Sequence, residues 1–268
     1  MVNLEERIAL ARDVKRFAVE ELGISPNPSF KRVEEDNKKS RFYGVYCSYK
    51  DRIESAAGRM GFIRCDNRAD WENVSAKWEK AGFDIFAVTW EALSSSVCPI
   101  TKFLLKAPKH RLVYVILHEN SHIHESMNGF NLPYNIDEAL ACSFGLKGSR
   151  LYFSAHAPHM NRVADKQRNN KLSFFDKINH YVSLANESYG RSFEEGRAVL
   201  EKADTEIRSF WNLPGKKLNN AYLLSFIYYS EKTKIVWERL KDIHPREYMT
   251  NKDLLYEKLA GLLPPKAE

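Results

Sequence analysis

An unbroken apolar run from Leu112 to Leu117 leads directly into the motif HExxH, which spans residues 118–122. A segment that is apolar on every side is typical of a helix buried in a core. On one helix, His118 and His122 lie about 40° apart around the axis and roughly 6 Å apart along it, so both imidazoles can bind one metal ion. The motif therefore predicts a buried helix with a catalytic zinc site, and Glu119 is the expected general base. The alternative is an amphipathic helix whose two histidines are ordinary polar-face residues.

A third protein ligand is needed, because catalytic zinc sites commonly have three. Glu125 shares the helix face, but three ligands on one helix would span roughly 10 Å, which is too far to converge on one ion. The longer pattern HExxHxxGxxH does not fit, because Glu125 and Asn128 stand where it requires Gly and His. Glu138, sixteen residues after the motif, is the predicted third ligand. Asp137 and Glu138 could instead be an acidic pair at a helix start.

The composition predicts a globular protein without a strongly charged surface. The chain has 268 residues, of which 44% are hydrophobic, and its formal net charge is +6. This length and composition fit one large domain. The densest basic stretch, residues 166–171, contains no aromatic residue, which favours a solvated helix end or loop over a nucleic-acid patch. We therefore expect no nucleic-acid partner.

Targeting signals and cysteine spacing bear on the compartment. No segment approaches the twenty apolar residues of a membrane span, and residues 1–23 lack the apolar core of a signal peptide. A cytoplasmic protein is expected, and the alternative is an exported protein whose leader is missing from this sequence. Cys47, Cys65, Cys98 and Cys142 include no CxxC pair, so we expect reduced, structural thiols.

The spacing of apolar and turn residues predicts an α+β protein in which helices predominate. Residues 42–47, 61–65 and 84–90 are short and aromatic-rich, as strands are. Besides the motif helix, the predicted helices are 1–23, a segment capped by Asp66 and ended by Gly82, a helix that starts over 136–146 after a cap at Asn135, 154–185, 193–211, 219–240 and 251–262. We expect one domain over residues 1–268. Its parts would be a sheet region (1–100), zinc-binding helices (101–150) and a helical part (151–268), with a cleft between the sheet and the helical body.

Stretches along nearly the whole chain resemble one bacterial family, the "Putative aminopeptidase" family of gluzincin-type zinc peptidases. Besides the HExxH motif, the matching stretches are 16–23, Gly61-Phe62, 81–84, 137–139 and 218–223. The resemblance implies a zincin-like fold, one Zn²⁺ ion and aminopeptidase activity on a peptide substrate. Members are often membrane-anchored or exported, and they usually have Asn-Glu where this chain has Asp137-Glu138.

The predicted reaction is the attack of zinc-activated water on a peptide carbonyl, with Glu119 as the base. The resulting oxyanion needs a hydrogen-bond donor. We select Tyr222 for this role, and the alternatives are His180-Tyr181 and Tyr189 with Arg191.

Two further features leave alternatives open. Asn219 and Asn220 could orient a metal ligand or cap a helix. The alternative function is a non-catalytic peptide- or metal-binding protein on a peptidase scaffold. The oligomeric state is not predicted.

Overall fold

A computed structural model describes residues 3–34, 42–58, 61–90, 98–211 and 217–263. Two compact units account for the chain, and each is built from separate segments. The first comprises Met1–Arg41, Glu91–Leu172 and Lys232–Glu268, and the second comprises Phe42–Trp90 and Ser173–Glu231. The expectation that they form one zincin-like domain with a cleft stays a prediction.

The described residues form ten α-helices and three strands, so the prediction of a mainly helical α+β protein is confirmed. In chain order the elements are α1 (Leu4–Glu20), β1 (Phe42–Ser48), β2 (Phe62–Cys65), α2 (Arg68–Lys80), β3 (Asp84–Trp90), α3 (Lys102–Lys106), α4 (Lys109–Met127), α5 (Tyr134–His156), α6 (Asn161–Tyr189), α7 (Phe193–Trp211), α8 (Asn220–Leu240), α9 (Pro245–Thr250) and α10 (Lys252–Lys258). Within this part of the chain, no helix has the length and apolar character that crossing a membrane requires.

The second unit is built on an antiparallel sheet with strand order β2-β1-β3. Val45 in the central strand pairs with Ile63 on one side and with Ala87 on the other. Three residues of α2 at helical spacing, Trp71, Val74 and Trp78, pack on the apolar face of this sheet. The predicted strands and helix are therefore present. The predicted cap at Asp66 is wrong, because the Asn67 side chain accepts the backbone N–H of Asp70 and caps the helix instead.

The first unit is organised around α4, as the apolar run predicts. Residues 112–117 are all buried, and α1 and α5 pack against this helix. Gly145 permits the close approach of α5, because a Cβ there would lie 3.0 Å from the Tyr114 ring and 3.3 Å from the His118 Cβ. Gly148 does the same one turn later, where a Cβ would lie 3.0 Å from Leu117. These two glycines bring the residues of α4 and α5 close to each other.

Several helix boundaries differ from the prediction. The helix start predicted over 136–146 lies within α5, which continues to His156 and is followed by a short 3-10 helix from Pro158. The predicted cap at Asn135 is also wrong, because α5 begins at Tyr134 after Pro133. The helix predicted over 251–262 is present as α10, which is shorter, has Asn251 as its N-cap and ends at Lys258. Helix α9, which precedes it, was not predicted. Helix α3 was not predicted.

Candidate metal centre

The three predicted ligands come from two packed helices of the first unit. His118 and His122 lie on the second half of α4, and Glu138 lies in the first part of α5. Helix α4 ends where Gly129 adopts a φ of +62°, and the Phe130 N–H donates to the Glu125 carbonyl at 2.9 Å. This left-handed glycine closes the helix and allows the chain to return as α5. A connection of a few residues is thus enough to bring Glu138 to the histidines.

The ligand atoms form a small triangle. His118 Nε2 and His122 Nε2 are 3.3 Å apart, and each lies 3.5 Å from Glu138 Oε2. Ligands at the zinc distance of about 2.0–2.1 Å in a tetrahedron are about 3.3–3.4 Å from one another. The three side chains are buried, with exposed fractions of 6–8%. The spacing therefore fits one tetrahedral ion bound at the three atoms.

The chemistry of the triangle also suits a cation. Glu138 Oε2 is buried and has no hydrogen-bond partner among the described residues. An isolated buried carboxylate oxygen is costly unless a positive charge faces it. Zinc and other late first-row metal ions bind to ligand sets of two imidazoles and one carboxylate. His118, His122 and Glu138 could therefore hold a metal ion.

Electrostatics at the site point the same way. Burial opposes the charged form of His118, but Cys142 and Glu138 outweigh it and raise its pKa to about 9. Burial likewise disfavours charge on His122, yet Glu138 and Asp137 raise its pKa well above the usual value. Burial disfavours the Glu138 carboxylate, but the two histidines keep its pKa below the ordinary range. The site favours positive charge beside Glu138, and a metal ion would supply that charge in place of protons.

Glu119 directly follows His118 on α4 and is partly exposed. Burial raises the pKa of its carboxyl group, while His118 and His122 oppose the change. A carboxylate with a raised pKa is a stronger base than one in water. The residue predicted as general base therefore lies beside the two histidines with its proton affinity increased.

A second carboxylate contacts the outer nitrogen of His122. Asp137 Oδ2 lies 3.0 Å from His122 Nδ1, on the side of the ring opposite to Glu138. Buried Glu125 accepts the Ser121 hydroxyl at 2.7 Å and lies beside Asp137 and His122. Burial and the neighbouring Asp137 raise the pKa of Glu125. Asp137 is thus the partner that orients His122, as is usual for metal-binding histidines.

The outer nitrogen of His118 has different neighbours. The Tyr114 hydroxyl lies 3.4 Å from His118 Nδ1 and 3.4 Å from the Cys142 Sγ atom. The Lys171 ammonium stands 4.2 Å from the centre of the Tyr114 ring. Sequence reasoning missed these residues. A signal existed for two of them, since Tyr114 precedes His118 by four residues and Cys142 follows Glu138 by four, which places each pair on one helix face.

Tyr222, the predicted oxyanion donor, lies in the second unit near the start of α8. Its ring packs edge-on against Phe86 at 4.9 Å. It lines a cavity of about 620 Å³ whose lining residues all belong to that unit. Burial raises the pKa of Tyr222 to about 12, so its hydroxyl can donate a hydrogen bond at neutral pH. Its catalytic role stays a prediction.

The other oxyanion candidates also lie in the second unit. Tyr181 is buried on α6, and the Tyr189 hydroxyl donates to Asn220 Oδ1 at 3.2 Å. Arg191 forms ion pairs with Glu187 and Glu195. His180 stacks edge-on against Tyr181 at 5.2 Å.

The two asparagines at the start of α8, Asn219 and Asn220, form hydrogen bonds within the second unit. The Asn219 side chain accepts the Tyr222 N–H at 2.9 Å, so the capping alternative is confirmed for this residue. Asn220 instead donates to the carbonyls of Tyr49 and Lys50, at 2.9 and 3.1 Å. Asn219 begins the helix, and Asn220 anchors it to the loop after β1.

Fold and site together define an α+β protein, mainly helical, with a buried two-histidine, one-carboxylate cluster that could hold a metal ion. The chain belongs to the family described as "Putative aminopeptidase", whose model matches residues 2–255. No curated protein and no solved structure matches the chain.

Proposed function

We propose that the protein is a zinc-dependent peptide hydrolase of the gluzincin type that acts as an aminopeptidase. The observation that carries the proposal is the buried triangle of His118, His122 and Glu138, whose sides are 3.3–3.5 Å. The family description supports a peptidase over other metal-dependent hydrolases. The presence of an acid at position 119 favours an enzyme over a protein that only binds metal or peptide, because binding alone needs no base.

His118, His122 and Glu138 would hold the ion, and Asp137 would keep His122 in the orientation and tautomer that binding requires. A bound zinc ion lowers the pKa of coordinated water and polarises a carbonyl group. Glu119 accepts one proton from the attacking water as the new C–O bond forms. It then passes that proton to the amine nitrogen as the C–N bond breaks. Tyr222 is the proposed donor to the oxyanion.

Specificity for the amino terminus of the peptide is the most specific part of this proposal. Aminopeptidases commonly bind the substrate amine with a carboxylate near the metal. The two carboxylates nearest to the metal ligands in the sequence already have partners, since Asp137 contacts His122 and Glu125 accepts the Ser121 hydroxyl. The family description therefore supports amino-terminal cleavage without a residue assigned to the amine.

We expect peptides with a free amino terminus to be cleaved, and their amino-acetylated counterparts to be cleaved much more slowly. The measurement compares kcat/KM for matched pairs under identical conditions. Equal cleavage of both members would contradict amino-terminal specificity and leave the hydrolase proposal intact.

The role of Asp137 can be tested by metal affinity. We expect Asp137→Ala to weaken zinc binding by about 10–100-fold, as is typical when the partner of a metal-binding histidine is lost. Asp137→Asn retains an acceptor oxygen and should lose less. Asp242→Ala, which removes an exposed acid of the same unit, is the matched control. Chelator competition measures each affinity, and a value for Asp137→Ala equal to that of the control would contradict the assignment.

A further inference from the structure

Cys142, Tyr114 and His118 form a group of neighbouring side chains on the side of His118 that faces away from the proposed metal position. His118 Nε2 faces Glu138, and on the other side of the ring Nδ1 lies 3.4 Å from the Tyr114 hydroxyl. That hydroxyl donates to Cys142 Sγ at 3.4 Å. The Tyr114 hydroxyl thus lies within 3.4 Å of both the outer nitrogen of His118 and the sulfur of Cys142.

This group is built into the contact between α4 and α5. Tyr114 is one turn before His118, and Cys142 is one turn after Glu138. Cys142 has no exposed surface, and Tyr114 has 5%. Gly145 leaves room for Tyr114 and His118, since a Cβ there would lie 3.0 Å from the Tyr114 ring and 3.3 Å from the His118 Cβ. A buried imidazole N–H without an acceptor is costly, so the identity of the atoms at Nδ1 affects which tautomer His118 adopts.

The two histidines differ in how their outer nitrogens are engaged. Asp137 supplies a carboxylate oxygen 3.0 Å from His122 Nδ1. At His118 the corresponding neighbour is the Tyr114 hydroxyl, which itself donates to the Cys142 sulfur. Cys142 does not join the metal-binding atoms themselves. Among the described residues, the groups whose ligand atoms lie within 4.8 Å of one another contain histidines and carboxylates only.

We propose that Cys142 is a positioning residue for the metal centre: its sulfur accepts the Tyr114 hydroxyl hydrogen, so that the Tyr114 oxygen accepts the Nδ1–H of His118 and Nε2 stays unprotonated for the ion. The inference rests on the zinc site proposed above. Cys142 thus fixes, through Tyr114, the orientation and tautomer of His118, as the Asp137 carboxylate does directly at His122. The residue acts through Tyr114 and His118 and contacts neither the ion nor the substrate.

The test measures zinc affinity of the full chain by chelator competition. We expect Cys142→Ala to weaken binding by about 10–100-fold, and Cys142→Ser, which restores a hydrogen-bond acceptor, to recover most of the loss. Cys98→Ala is the matched control, because Cys98 is a buried cysteine of the same unit whose sulfur contacts the carbonyl of neighbouring Pro99 at 3.6 Å. It should bind zinc like the parent.

Cobalt(II) separates positioning from ligation. We expect Cys142→Ala to alter the d–d bands of the cobalt-loaded protein, and the parent to lack a sulfur-to-cobalt charge-transfer band. A band of that kind in the parent, lost in Cys142→Ala, would make the sulfur a ligand and overturn the proposal. The same conclusion follows if Cys142→Ala binds zinc like the parent, or if Cys142→Ser is as weak as Cys142→Ala.

Thermal unfolding without metal checks that each variant folds. If Cys142→Ala does not fold, Cys142→Ser and Tyr114→Phe carry the test. Tyr114→Phe keeps the ring and removes only the hydroxyl donor, and it should weaken zinc binding. Zinc binding by Tyr114→Phe and Cys142→Ser that both match the parent would then overturn the proposal. A parent that binds no zinc would overturn the metal centre itself, whereas a parent that binds zinc without cleaving peptides would leave this inference standing.

Discussion

Glu119→Gln is expected to lower peptide turnover by about 10²–10⁴-fold while zinc stays bound, because the amide keeps the size of the side chain but cannot accept a proton from water. Substrate binding should change little, since the residue acts on the attacking water more than on the bound peptide. The measurement is peptide hydrolysis by parent and variant at equal zinc content.

Glu21→Gln, the same exchange at an exposed glutamate of the first unit, provides the control and should retain parent activity. Parent and Glu119→Gln rates that agree at equal zinc occupancy would remove Glu119 as the base. A parent that binds zinc and peptide but hydrolyses nothing would instead favour a non-catalytic binding protein on a peptidase scaffold.

His122→Ala is expected to abolish tight zinc binding, since it leaves His118 and Glu138 as the only protein ligands of the proposed three. Elemental analysis of the parent should find about one ion per chain, as expected of one three-ligand site, and analysis of the variant should find background levels. At a zinc concentration 1,000 times the Kd, binding stabilises the folded parent by about 4.1 kcal/mol, and the variant should lose this increment.

The control for this experiment is His159→Ala, which removes an exposed histidine of the same unit from the short helix after α5. It should bind zinc and unfold like the parent. Zinc retained by His122→Ala with parent affinity would contradict the ligand assignment.

Local patterns predicted much of the secondary structure. The aromatic-rich strands of the second unit and helix α7 are present where they were expected. The differences are in helix boundaries and caps, and in the short helices α3 and α9, which were not predicted. For α5 the sequence predicted only a helix start over 136–146, whereas the helix continues through Gly145 and Gly148, whose missing side chains let α4 approach. Helix propensity alone does not register such a contact.

The sequence by itself determined that His118 and His122 share a helix face, because four-residue spacing and an apolar run before them are local properties of a helix. It also favoured Glu138 over Glu125 as the third ligand, because three ligands on one helix would be spread too far along its axis. Only the tertiary structure decided that Glu138 Oε2 lies 3.5 Å from both imidazoles. It likewise decided that Asp137 contacts the outer nitrogen of His122, and that the Tyr114 hydroxyl lies between His118 and Cys142. Those contacts depend on the distance between α4 and α5, and the spacing of residues along either helix does not determine that distance.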